Sequence, residues 1–149
     1  MKSDTIIISI HPVFVEKILS GEKKYEYRKR FPKGVRYMLV YSTSPIKKIT
    51  ALIEIDSVLC DTPQVVWRKT KEHAGVTRDF FAAYFNGRPK AYAVKFKKIQ
   101  ILNRPLLLSH FNRIKAVPQS YVYLKEDLDI VIDSTLYSLR ISNGVIRND

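Results

Sequence analysis

Residues 21–30 read GEKKYEYRKR, and the reading of this stretch decides the fold. It opens on a glycine, the residue that ends a helix in the left-handed conformation at least steric cost. Beyond Gly21 the pattern has period two: Lys24, Glu26, Arg28 and Arg30 alternate with Tyr25, Tyr27 and Phe31. Such alternation makes a half-buried strand, with charges toward water and rings toward the core. The stretch is therefore a helix-to-strand junction, and the chain on either side agrees. Pro12 suits a first helical position, and Val13, Phe14, Lys17 and Ile18 follow at helical spacing. Before them, Ile6–Ile10 is a short apolar run of the kind that forms a buried strand. After the junction, FPKG (31–34) supplies a turn.

Further out, RYMLVYSTSP (36–45) and KKITALIEIDSVL (47–59) read as strands rich in β-branched and aromatic residues. Thr62 before Pro63 marks a helix start, with QVVWRKTKEHA (64–74) running to Gly75. Thr77 reads as another N-cap for RDFFAAYF (78–85), ending near Gly87. KAYAVKFKKIQIL (90–102) is a long strand whose Lys95 and Lys97 share a wet face. LLLSHFNRI (106–114) reads as a short helix, PQSYVYL (118–124) as extended, and LYSLRI (136–141) as a last strand. Five or six strands with three short helices inserted between them, and no regular βαβ rhythm, give an α+β chain curled into a small, partly closed β-barrel.

A chain of 149 residues, 46% hydrophobic and 27% charged, is expected to form one globular domain. No apolar run is long enough for a membrane span, and the N-terminal run is strand-like and short, so a cytoplasmic home is expected. Cys60 is the only cysteine; no intrachain disulfide can form, and its place at the end of an apolar strand reads as a buried structural thiol. His11, His73 and His110 are too dispersed for a zinc site, so no metal and no cofactor is expected. Neither a glycine-rich phosphate loop nor a nucleophile elbow is present.

Charge is the strongest compositional signal. Twenty-six Lys and Arg against 14 acidic residues give +12. Through Lys115 there are 23 basic and nine acidic residues; from Ala116 onward there are three and five. A basic body suits a polyanion, since neutralising phosphates releases counterions. Eight Lys or Arg lie between Lys17 and Arg36, interleaved with Tyr25, Tyr27 and Phe31. Period two assigns those rings to the core rather than to base stacking. Glu26, two residues from both Lys24 and Arg28, is either a solvated salt bridge or a group that orients a lysine or reads a base edge.

The junction resembles the G-x-K-x-x-E-x-R signature of the ASCH domain, a relative of the PUA RNA-binding domains, through Gly21, Lys23, Glu26 and Arg28. YSTSPIKKITALIEI, Trp67, GVTRDFFAAYFNGRPKAYAVKF and PQSYVYL follow in the expected order. The resemblance implies a PUA-like barrel over residues 1–124, with 125–149 an extension packed on the same domain. It also implies RNA or a modified nucleoside as ligand, in a cleft lined by Lys23, Glu26 and Arg28 with Ser42 and Thr43 nearby. Lys24, Arg28, Arg30, Lys95 and Lys97 would grip phosphates. Should the protein be an enzyme, Lys23 and Glu26 become acid and base of a ribonuclease, with His11 close by. One branch of the family resembles an acetylcytidine amidohydrolase that uses a lysine, a threonine and a glutamate. Its lysine matches Lys23 and its glutamate falls near Glu72, but Glu26 replaces the threonine nucleophile. A regulatory domain with a protein partner is the remaining alternative.

Overall fold

The computed structural model describes residues 3–111, 114, 116–125 and, as backbone, 139–142 and 145–148. Eight strands form one curled sheet: β1 (Thr5–Ile10), β2 (Tyr25–Arg28), β3 (Tyr37–Ser42), β4 (Lys48–Asp61), β5 (Ala91–Leu106), β6 (Tyr121–Tyr123), β7 (Leu139–Ser142) and β8 (Val145–Asn148). They run in the order β6-β1-β3-β4-β5-β8-β7, and β2 is paired to β5. Three short helices, α1 (Pro12–Ser20), α2 (Pro63–Thr70) and α3 (Arg78–Tyr84), lie between them. This is an α+β, PUA-like half-barrel.

The curl comes from β4 and β5. Their ladder shifts register near Ile49, Glu54 and Ile55, and bulges of this kind increase local twist and bend the strand. Long enough to curve, β5 holds β4 along one edge and both β2 and β8 along the other. Inside the curl Ile6, Ile8, Met38, Val40, Ile53 and Val94 are fully or almost fully buried, with Val15 and Ile18 of α1 packed among them. A second core holds Ile7, Leu39, Leu52 and Phe111, and a third seats Val66 of α2 and Phe81 of α3 on Ala91, Ala93 and Tyr27.

Helix ends follow the sequence closely. Pro12 is the first residue of α1, His11 caps it, and Gly21 ends it at φ 86°. Thr62 caps α2 and Thr77 caps α3, each accepting from a backbone N–H three residues on. The helix expected through Ala74 stops earlier. Thr70 donates its hydroxyl to the Val66 carbonyl at 2.7 Å and accepts from the Tyr27 hydroxyl at 2.7 Å; only a 3₁₀ turn, Lys71–His73, follows.

Other expectations are corrected. Cys60 is exposed, because its neighbour Leu59 packs against the third core and alternation turns Cys60 to the other face of β4. In place of a helix at 106–114 there is a 3₁₀ turn at Leu108–His110; residues 112, 113 and 115 lie outside the described residues. The last expected strand corresponds to β7 from Leu139, and β8 follows it; residues 136–138 lie outside the described residues. Among the described residues no helix is long and apolar enough to cross a membrane.

Candidate functional site

The face of β2 expected to be wet is not. Glu26 is only 7% exposed and Lys23 only 2%. Lys23 leaves the end of α1 and turns inward beneath the loop that precedes α3. That loop gives up three successive carbonyls to the junction: His73 accepts from the Lys24 N–H at 2.9 Å, Ala74 from Lys23 Nζ at 3.0 Å, and Gly75 from Lys17 Nζ at 3.3 Å. Gly75, at φ 69°, lies so close over Lys23 that a Cβ there would stand 2.4 Å from the lysine's own Cβ. Lys23 Nζ also lies 4.7 Å from the Tyr27 ring centre and 5.6 Å from that of Phe14.

Glu26 divides its two oxygens between two cations. Oε2 accepts from Arg28 Nε at 3.0 Å and Nη2 at 2.7 Å; Oε1 stands 3.8 Å from Lys23 Nζ, beyond hydrogen-bond reach. Arg28 goes on to donate to the Ser9 carbonyl at 2.7 Å and to Ser120 Oγ at 3.3 Å. Burial pushes the Lys23 ammonium below its ordinary value, ahead of the attraction of Glu26, which acts the other way. Burial pushes the Tyr27 phenol up to about 12.

These groups floor an open cavity of about 300 Å³. Phe14, Tyr27, Phe80, Phe81 and Tyr84 supply aromatic walls, while Ser9, His11 and Gln119 stand at its polar side. His11 Nδ1 accepts from the Val13 N–H at 3.4 Å, so that nitrogen is engaged in capping α1. Phe80 is 49% exposed, a ring open to solvent beside Phe14, 5.4 Å away between centres.

Of the residues singled out in the sequence, Lys23, Glu26 and Arg28 meet here. Ser42 and Thr43 do not line the cavity; they adjoin it through Ile10, opposite Ser42 and bonded through its carbonyl to the Thr43 N–H. Lys24, Arg30, Lys95 and Lys97 are exposed and outside it, and Lys97 is 3.4 Å from Glu54. Lys95 opposes Tyr25, so it lies across the sheet from Glu26. Glu72 is exposed and also outside. No three His, Cys, Asp or Glu side chains gather as a metal site among the described residues. Phe80 and Tyr84 were missed, although the sequence held a signal: adjacent Phe80 and Phe81 on one helix cannot both point inward.

Residues 8–103 match the profile of the ASCH domain. The chain belongs to the ASCH domain family. An ASCH domain-containing ribonuclease of Zymomonas mobilis is 27% identical over 126 residues, covering 81% of this chain and 84% of that protein. Large ribosomal subunit protein uL22 of Ureaplasma parvum is 32% identical over 125 residues; the chain spans about 40% of that protein's length. The crystal structure of ASCH from Zymomonas mobilis superposes with TM-score 0.78 at 24% identity, covering 88% of this chain and 94% of that one. The N-terminal domain of Staphylothermus marinus McrB shares the fold at TM-score 0.57 and 11% identity, covering 90% and 95%.

Two outcomes test how this ASCH domain holds its lysine. Gly75→Ala should lower stability by about 1–3 kcal/mol in urea denaturation, since both backbone strain and the contact with Lys23 act. Gly34→Ala has the same strain, at φ 79°, but nothing within 4 Å of its Cβ. It should lose about 1 kcal/mol, and equal losses would refute the close approach. The second concerns pH. Between the lowered Lys23 value and 10.5 the unfolded chain holds more protons than the folded one, so stability rises with pH across that window; below it the full penalty is present. Tyr27 acts oppositely between 10 and about 12, where stability falls as pH rises. The rising limb should vanish in Lys23→Met, followed by urea midpoints from neutrality to pH 10.5.

Proposed function

We propose that this chain binds RNA, taking one nucleobase into the aromatic cavity and reading its edge with Lys23 and Glu26. The observation that carries the reading is the floor. Glu26 Oε1 is an acceptor held in place by the grip of Arg28 on the other oxygen, and Lys23 Nζ is a donor 3.8 Å from it. A base edge presents a donor beside an acceptor, which this pair complements. A volume of about 300 Å³ suits one nucleoside rather than a duplex, and the rings offer stacking surfaces. Arg28, engaged on Glu26, Ser9 and Ser120, is a positioning residue here rather than a phosphate clamp. Lys24, Arg30, Lys95 and Lys97 supply the outer attraction for the backbone, and Ser42 and Thr43 support the cavity rim through Ile10. In this reading residues 1–124 are the binding unit and 125–149 an extension, supported by the pairing of β8 on β5.

A second reading is ribonuclease activity, favoured by the name of the Zymomonas relative and by His11 at the cavity. Glu26 or His11 would take the proton of an attacking hydroxyl, while Lys23, its proton loosened by burial, would supply one to the leaving oxygen. The acetylcytidine reaction has no such support: Glu26 stands where the nucleophile belongs, and Glu72 is outside the cavity.

Affinity for a single-stranded RNA oligonucleotide, read by fluorescence anisotropy, should fall roughly 10–100-fold between about 50 and 200 mM salt. A flat profile would sink the polyanion reading. With labelled RNA and purified protein, Lys23→Ala should abolish any cleavage while leaving the circular dichroism spectrum unchanged. Cleavage that survives Lys23→Ala places the reaction elsewhere.

A further inference from the structure

On the other side of α3 lies a second cavity, about 450 Å³, that the reading above leaves unused. Trp67, Phe81 and Phe85 form its apolar wall, and Arg78 and Arg88 stand beside them. No aspartate or glutamate lines it. Trp67 and Phe81 are 5.0 Å apart between ring centres, and Phe81 and Phe85 4.7 Å. The wall is therefore a packed aromatic surface, seated on the core that holds Val66 and Ala91. Arg88 Nε is buried there without a hydrogen-bond partner. Neither arginine forms an ion pair among the described residues.

A buried donor left unpaired costs about 1–3 kcal/mol, so the Arg88 Nε is a strained feature of this wall, while the rest of the half-buried side chain carries its charge beside the cavity with no carboxylate on it. Two arginines without a carboxylate select an anion, and arginine forks suit phosphate oxygens. The half-buried Trp67 ring adds a flat face on which a base can stack. We infer that this cavity is a second nucleotide site, with the base against Trp67 and the phosphate on Arg78 and Arg88.

Phe81 lines both cavities. Helix α3 is thus a partition, with Phe80 and Tyr84 toward the first and Ala82 and Phe85 toward the second. A single strand laid across α3 would place one nucleotide in each. The inference rests on the RNA reading only for the source of that second nucleotide.

Trp67 is the only tryptophan and lines this cavity and not the first, so a ligand stacked on it is read directly by its fluorescence. The protein is titrated with a nucleoside 5′-monophosphate, the same nucleoside without phosphate, and a single-stranded hexaribonucleotide whose overall binding is followed by anisotropy. The monophosphate should quench Trp67 saturably, with the nucleoside weaker by about tenfold or more. Arg78→Gln with Arg88→Gln should weaken the quench by about tenfold or more, and Arg78→Gln alone by less. Lys23→Met should weaken hexanucleotide anisotropy while leaving the monophosphate quench in place. A quench by the monophosphate without any hexanucleotide binding upholds this site for free nucleotides and refutes the RNA reading of the first cavity. Hexanucleotide binding with no quench by either phosphorylated ligand overturns the inference. A quench indifferent to both arginine substitutions overturns it equally.

Discussion

The Arg28 guanidinium closes the curled sheet where no backbone ladder does. Among the described residues β2 is paired only to β5, which leaves its other edge facing β1 across a gap. Arg28 spans that gap, with the Glu26 carboxylate on one side of its fork and the Ser9 carbonyl and Ser120 hydroxyl on the other. Because β1 also bonds the chain entering β6, through Ser9 N–H to the Ser120 carbonyl, one side chain ties three segments distant in sequence. A planar fork with five donors can do this; a lysine ammonium cannot match the geometry. The gap it spans, not filled by a strand, is where the cavity opens.

Burying Lys23, Glu26 and Arg28 together is not in itself a stabilising choice. Desolvating ions costs several kcal/mol each, and replacing such groups with apolar residues is often neutral or favourable. What the arrangement secures is a fixed position for charge. The loop at His73–Gly75 turns its carbonyls onto the lysines of the junction, and the glycine permits an approach that a Cβ would prevent. The lysine is then held by a carbonyl, two rings and a carboxylate. In the proposed reading its remaining N–H groups and the second oxygen of Glu26 would meet a ligand already positioned, which is the condition for tight and selective binding.

Much of this was legible in the sequence. Gly21 and Pro12 bounded a helix, Thr62 and Thr77 capped two more, and the period of the β2 stretch gave the strand. The signature residues Lys23, Glu26 and Arg28 lie together at one cavity. The sense of the β2 face was not legible, because alternation separates two faces without saying which is solvated. Here Tyr27 packs on α3 while Glu26 is buried beneath the cavity, so both faces are covered. Cys60 misled for the same reason: alternation puts Leu59 on the third core and Cys60 on the opposite, open face. The cavity walls were missed because Ser9, Phe80 and Gln119 come from three parts of the chain that only the fold brings together.

The placement of charge divides the work of recognition. Arg28 has no fork left for phosphate, and Lys23 sits too deep to meet a strand's backbone. In the RNA-binding reading proposed above, sequence-independent attraction would fall to the exposed cations outside the cavity, Lys24, Arg30 and Lys95 among them, where salt screens them most. In the same reading discrimination would fall to the floor, where few groups are fixed and dry, and where a ligand edge that left Glu26 or Lys23 unpaired would be penalised. Phosphate contacts position and base contacts specify. A chain with a +12 balance would thus keep its selective chemistry on a buried glutamate, the one acidic residue of the cavity lining.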